Sequence, residues 1–292
     1  GKNYSWRSYK RVEKSGWTWV SGIEHYIEVY INPYTGEITG KIDKRKDWIS
    51  LSRFLHQNLL LNHDLGSQII GAAALTMIFL ALSGLYLWWP KNKKAIKQHL
   101  KIKWNARFKR VNWDVHSVGG FYTYLFLVFF ASTGLVWSYQ WWSNGIYRIL
   151  GNNPKEVFIR PERPTLDGDG FMFGMDKAFQ DAIERRPDWH KIYFSVPSKN
   201  AGKGVISVGL YYEKPESWWD TSDYYYYHPM SGELHHTFTH AEKLLGEKWR
   251  HSNYAMHVGS SYGLPTKIIA FISALFFSVL PVSGFLICCG RK

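Results

Sequence analysis

Three stretches of the chain carry no charged side chain: Leu65 to Trp89, Ser117 to Tyr139 and Ile268 to Gly290, each 23 to 25 residues long. About 20 apolar residues, rising ~1.5 Å each, cross a ~30 Å hydrocarbon layer, so each stretch is predicted to be a transmembrane helix. Core helices of soluble proteins are usually shorter and keep a polar face. Elsewhere the period changes. Val29 to Ile38 and Tyr225 to Leu234 each read as an alternating strand, a turn containing Pro and Gly, and a returning strand. That pattern predicts a β-hairpin in each.

The two hairpins belong to a repeat with an offset of about 200 residues. Trp48 and His56 lie eight apart, and so do Trp249 and His257; Ser83-Gly84 near the end of one apolar run matches Ser283-Gly284 near the end of another. The repeating unit is an outgoing helix, an outer domain and an incoming helix. The second half is complete, with helix 117–139, domain 141–263 and helix 264–290. The first half lacks its outgoing helix, so the chain is expected to be an N-terminally truncated piece of a four-helix protein.

Charge orients these elements. The chain has 292 residues, 46% hydrophobic and 17% aromatic, with a net charge of +13, and its mean hydropathy of -0.27 hides the segregation just described. Nine Lys or Arg and no acid fall between Lys91 and Arg110, and the chain closes on Arg291-Lys292. Positive charge collects on the cytoplasmic side, which places 91–113 and the C-terminus inside and 1–64 and 141–263 outside. Trp88-Trp89, Trp137, Trp141-Trp142 and Tyr262 flank the apolar runs, where Trp and Tyr mark bilayer interfaces. The basic loop is thus a topology signal, and no nucleic-acid partner is expected. The cysteines, Cys288 and Cys289, sit at the inner end of the last run, so no disulfide holds the outer stretches. Gly202-Lys203-Gly204 lacks the third glycine of a dinucleotide fingerprint, and no Gly-x-Ser-x-Gly or His-Glu-x-x-His occurs, which leaves nicotinamide and hydrolase chemistry without support.

Histidine is rare at membrane depth and usually functional there. His56 and His257 are repeat-equivalent, each at the outer end of an incoming helix, and His116 starts the outgoing helix at its inner end. Paired imidazoles between bundle helices are the ligand set of a six-coordinate haem; interface anchoring and helix capping fit the same positions. His56 to Gly84 would span ~42 Å as one helix, more than the hydrocarbon thickness, so a break is expected at Asn62 to Gly66, and again at Gly259 and Gly263 to Pro265. His63 lies nearer the bilayer than His56 but has no repeat equivalent, which makes it the alternative ligand. Arg53 and Arg250 lie on the same segments as the outer histidines, placed for haem propionates. His235, His236 and His240 form a further cluster, in which His236 and His240 would share a face if helical.

Several motifs carry a resemblance. Leu55-His56, the helix end from Leu82 to Pro90, the basic loop, Asp114 to His116, and Thr133 to Trp137 ahead of Trp141-Trp142 resemble the PepSY-associated transmembrane helix proteins. The hairpins at Thr35-Gly36-Glu37 and Ser231-Gly232-Glu233 are similar to the PepSY signature, and Met256 to Gly259 with Gly263 to Pro265 resembles the family's last helix entry. The resemblance implies an α+β membrane protein: a bundle of transmembrane helices, three here and four in the full-length protein, with two periplasmic PepSY-like domains. On that reading 1–48 is the first such domain, truncated at its N-terminal side, and 49–90 an interfacial segment and transmembrane helix. Residues 91–114 are the basic cytoplasmic loop, 115–142 a transmembrane helix, 143–250 the second periplasmic domain, and 251–292 an interfacial segment and transmembrane helix. Better-understood members resemble haem-containing reductases of the bacterial inner membrane that release iron from ferric siderophores. The implied cofactor is haem b, two per full-length protein, with His56, His257 and His116 as axial ligands; the implied partners are the lipid bilayer, a ferric siderophore or similar iron chelate, and an electron donor. Two features depart from the family pattern: the missing first helix, and Cys288-Cys289 where aromatics are common. The alternative is a non-enzymatic PepSY membrane protein that binds or regulates a peptidase or acts as a sensor.

Overall fold

The computed structural model describes residues 6–32, 34–90, 92, 96–97, 99–157, 161–165, 174–197, 203–213 and 219–290. The chain forms two compact units, residues 1–140 with 276–292, and residues 141–275.

The first unit opens with an antiparallel sheet, β1 (Trp6–Glu13), β2 (Ile23–Ile31) and β3 (Ile38–Asp43), interrupted by a single helical turn, α1 (Trp19–Gly22). The β2–β3 hairpin closes through Asn32 N–H to Glu37 O (2.8 Å) and Gly36 N–H to Asn32 O (2.8 Å). Gly36 sits at φ 73°, a left-handed conformation that glycine adopts without strain. Helix α2 (Trp48–Asn58) follows; Asp47 caps it by accepting from the Ser50 N–H (2.9 Å) and hydroxyl (2.6 Å). Those bonds hold the Asp47 carboxyl below its ordinary range. Phe54 of α2 stacks on Trp19 at 3.3 Å between ring centroids, and with Ile23 they form the small core of this sheet. Glu28 is buried on β2 and paired with Arg7 (3.0 Å) and Lys44 (2.6 Å), the partners a buried carboxylate needs.

Leu59 and Leu60 then take φ of 55° and 58°, which ends α2. Asn62 caps the next helix, α3 (His63–Trp88), by accepting from Leu65 N–H (3.0 Å). The predicted break is therefore present, a few residues earlier than the polar run Asn62 to Gly66 marks it. Helix α4 (Phe108–Ser138) packs antiparallel to α3. Trp88 stacks on Phe121 at 3.9 Å near one end, and Tyr139 O–H donates to Gln68 O (3.0 Å) near the other. Helix α4 begins at Phe108, not at the charge-free Ser117. The charges in between are accommodated because Asp114 is buried, paired with Arg110 (2.9 Å), and accepts the Lys103 N–H (3.1 Å).

The last helix, α8 (Leu264–Cys289), enters this unit from Phe276 onward and runs antiparallel to the start of α4. Lys109 Nζ donates to Gly290 O at the end of α8 (3.1 Å), a cation on the negative pole of the helix. Helices α3, α4 and α8 are each long and apolar enough to cross a membrane. Large apolar side chains face outward on α3 and α8, as at Leu87 and Phe285, which suits lipid and not water.

The second unit contains α5 (Gln140–Ile149), α6 (Gly174–Arg185) and an antiparallel sheet in the order β4 (Trp189–Ser195), β5 (Ile206–Tyr212), β6 (Thr221–Tyr227), β7 (Leu234–Phe238). Alternation puts Ile206, Val208 and Leu210 on one face, where they are fully buried, as are Ala178 and Ala182 of α6. The β6–β7 hairpin repeats the bonds of β2–β3: His228 N–H to Glu233 O (2.8 Å) and Gly232 N–H to His228 O (2.9 Å), with Gly232 at φ 64°. His228 even takes the side-chain role of Asn32, its Nδ1 accepting from Met230 N–H (3.3 Å) as Asn32 Oδ1 accepts from Tyr34 N–H (2.9 Å). Helix α7 (Leu245–His257) follows the sheet, and Gly259 and Gly263, both at φ 70°, separate it from α8. Each half thus runs sheet, short helix, break, long apolar helix. Among the described residues these elements make an α+β fold with three membrane-capable helices and two antiparallel sheets.

Candidate functional site

The repeat places two histidines alike. His56 lies in the last turn of α2, and His257 ends α7. Each stands one break away from a membrane-capable helix, His56 in the first unit and His257 in the second.

His56 lies on an exposed side of α2 that mixes apolar and polar residues. At about 100° per residue, Trp48, Ile49, Leu55 and His56 fall on one side of α2, away from buried Phe54 and Asn58. Trp48 and Ile49 are each 81% exposed. Helix α2 therefore packs one side against the sheet and leaves the other open, where Trp48, Ile49 and Leu55 accompany Ser52 and His56. Arg53 is also exposed, its guanidinium 4.7 Å over the Phe54 ring. On α7, Arg250 and His257 are seven residues apart and share a face. Arg250 engages the Tyr147 hydroxyl, whose own deprotonation burial makes harder. His63, the alternative, is the first residue of α3; its side chain is 73% exposed and 3.6 Å from Asp64.

His116 sits on α4 against the last turns of α8. Its Nδ1 is 2.9 Å from Ser283 Oγ, and Asn112, one turn earlier, donates to Ser283 O (3.0 Å). Gly284 admits the ring: a Cβ there would lie 3.2 Å from His116 Cε1. Ser83-Gly84, the repeat equivalent, carries no such neighbour, and a Cβ on Gly84 would meet nothing within 4 Å. In the sequence these Ser-Gly pairs signal close helix packing and the small neighbours that a haem face also needs; the contact of the hydroxyl with an imidazole needs the fold to be seen.

The second unit holds a polar cluster that the sequence did not single out. Asp223 on β6 is fully buried and accepts from Arg186 Nε (2.9 Å) and Nη2 (2.5 Å), Tyr212 O–H (3.3 Å) and His240 N–H (2.7 Å). Lys243 is buried beside it, donating to Ser222 O (2.5 Å) and Oγ (2.8 Å), and burial pushes its ammonium down to about 8. His251 of α7 faces the Tyr224 ring at 5.4 Å; burial first, then Lys243 and Arg250, push its imidazole down to about 3. These groups stitch α6 and the segment leading into α7 onto β6.

The histidine cluster resolves differently from its helical reading. His235 and His236 lie in β7, where neighbours point to opposite faces, and His235 Nε2 is 3.1 Å from Glu162 O. Among the described residues no three His, Cys, Asp or Glu gather as a metal site.

Set against known proteins, the chain matches one family model, described as the PepSY-associated TM region, over residues 2–291. No curated protein matches it.

Proposed function

The chain belongs to the PepSY-associated transmembrane family, and from that premise we propose that it is a haem-b-containing oxidoreductase of the bacterial inner membrane. It passes electrons across the bilayer to a periplasmic ferric siderophore or similar iron chelate. The observation that carries this reading is the equivalent placement of His56 and His257, each closing the short helix ahead of a membrane-capable helix. Capping or anchoring at one site needs no such duplication; a shared ligand set does.

The residues fit a haem. Exposed Trp48, Ile49 and Leu55 on the side of α2 that carries His56 suit a flat hydrophobic ring, and His116 lies half-buried between α4 and α8. His56 and His257 would hold the outer haem and His116 the inner one, with Arg53 and Arg250 directed to propionates. A bound haem supplies a one-electron couple. The chain's own work is to hold each imidazole neutral and oriented, and to keep a low-dielectric path between the two faces. Ferric iron is held tightly by hard oxygen ligands, and one-electron reduction weakens that hold, so no acid–base residue is needed.

The test is haem content of the purified full-length protein. His56→Ala and His257→Ala should each remove one of two haems and stop reduction of a ferric chelate at the outer face; His116→Ala should remove the other. Unchanged haem in both outer variants would overturn the assignment and bring His63 forward.

A further inference from the structure

Ser283 bridges two groups with one hydroxyl. Its Oγ is 3.0 Å from Leu280 O, one turn back in α8, and 2.9 Å from His116 Nδ1 on α4. A carbonyl oxygen only accepts, and a serine hydroxyl has a single proton. The proton therefore goes to Leu280 O, and the Ser283 oxygen is left to accept. His116 must then carry its proton on Nδ1, which leaves the lone pair on Nε2. The Leu280 carbonyl also accepts from the His116 ring, and a neutral imidazole has a single N–H to give both acceptors.

Two further contacts fix the arrangement. Asn112 donates to the carbonyl of the same Ser283 (3.0 Å), so one residue of α8 anchors α4 at two points a helical turn apart. Gly284 leaves room for the ring edge, with the position of an added Cβ 3.2 Å from Cε1. The serine bond recurs in the repeat, where Ser83 Oγ donates to Leu80 O (3.2 Å), with no side chain against Gly84 among the described residues.

We propose that Ser283 is a positioning residue: it fixes His116 in the Nδ1–H tautomer and orients Nε2 as an iron ligand. The inference rests on the haem reading for its purpose, while the tautomer itself does not. Donation from Nδ1–H makes Nε2 more basic, and a more basic ligand favours ferric over ferrous iron. Ser283 thereby tightens the inner haem and lowers its potential.

The experiment has two arms. In haem-free full-length protein labelled with 15N-histidine, the His116 shifts should report Nδ1–H in the wild type and a tautomer mixture in Ser283→Ala. In haem-loaded protein, Ser283→Ala should raise the midpoint potential of the inner haem and speed its loss to a scavenging apo-globin by about 10–100-fold, the usual effect of removing such a partner. Ser283→Thr, which keeps a hydroxyl able to bond the preceding turn, should restore both. If Ser283→Ala does not fold, Ser283→Cys, similar in size but a weak acceptor, must show the same shifts. Wild-type tautomer, potential and haem retention in these variants would overturn the proposal. A wild type with the Nδ1–H tautomer but no haem would overturn the haem reading and, with it, the ligand role of His116.

Discussion

At the scale of single residues, the second unit depends on Asp223. It is fully buried and receives four hydrogen bonds, two of them from Arg186. Arg186 is half-buried and keeps Asp188 at 3.8 Å, so loss of the carboxylate is set mainly by the buried donors left unpaired, roughly 1–3 kcal/mol. We expect Asp223→Ala to lower the unfolding free energy of this unit by about that amount, measured by thermal unfolding in detergent. His251 adds a pH dependence. Its imidazole titrates near 6.5 in the unfolded chain but only at about 3 when folded. Between those values the unfolded chain binds the extra proton, so stability falls as the pH drops through that window and is insensitive to this group above it. His251→Gln should flatten that slope in melting curves taken across the range. Neither residue was legible in the sequence: Asp223 lies in a run of tyrosines and His251 in a mixed polar segment, and their significance comes from burial alone. His56, His257 and His116 stand out in the sequence because imidazoles near apolar runs are conspicuous without any fold; their role as haem ligands is the proposal put to test.

At the scale of elements, periodicity carried most of the information. The two hairpins close with the same pair of backbone hydrogen bonds, which the matched Gly-Glu turns foreshadowed. The helix break after His56 was readable as a length mismatch, but its location was not. The polar run Asn62 to Gly66 drew attention, while the chain turns at Leu59 and Leu60, two leucines in left-handed conformation that no turn rule favours. Such a residue costs roughly 1–2 kcal/mol outside glycine. Leu60 packs against the Trp19 core, whereas Leu59 is 42% exposed. Leu59→Gly should therefore stabilise the first unit by about 1 kcal/mol, readable as a raised melting temperature. His236 and His240 do not share a helical face: His236 lies in Leu234 to Phe238, which pairs with the tyrosine strand β6, and His240 lies beyond it in a turn.

At the scale of the whole molecule, family membership and three membrane-capable helices leave orientation and cofactor to be measured. With Cys288 and Cys289 replaced by Ser, a cysteine at Asn153 should react with an impermeant reagent added outside intact cells, and one at Asn92 should not; the reverse pattern would invert the topology. The central claim is that this bundle holds haem between its histidines. Its most direct test is the absorption spectrum of the full-length protein purified after haem-replete expression. A haem-loaded bundle gives a Soret band and, on reduction, sharp α and β bands that weaken in His116→Ala and in His56→Ala. Purified protein absorbing only as its Trp and Tyr do would contradict it and leave the peptidase-binding or sensor reading in its place.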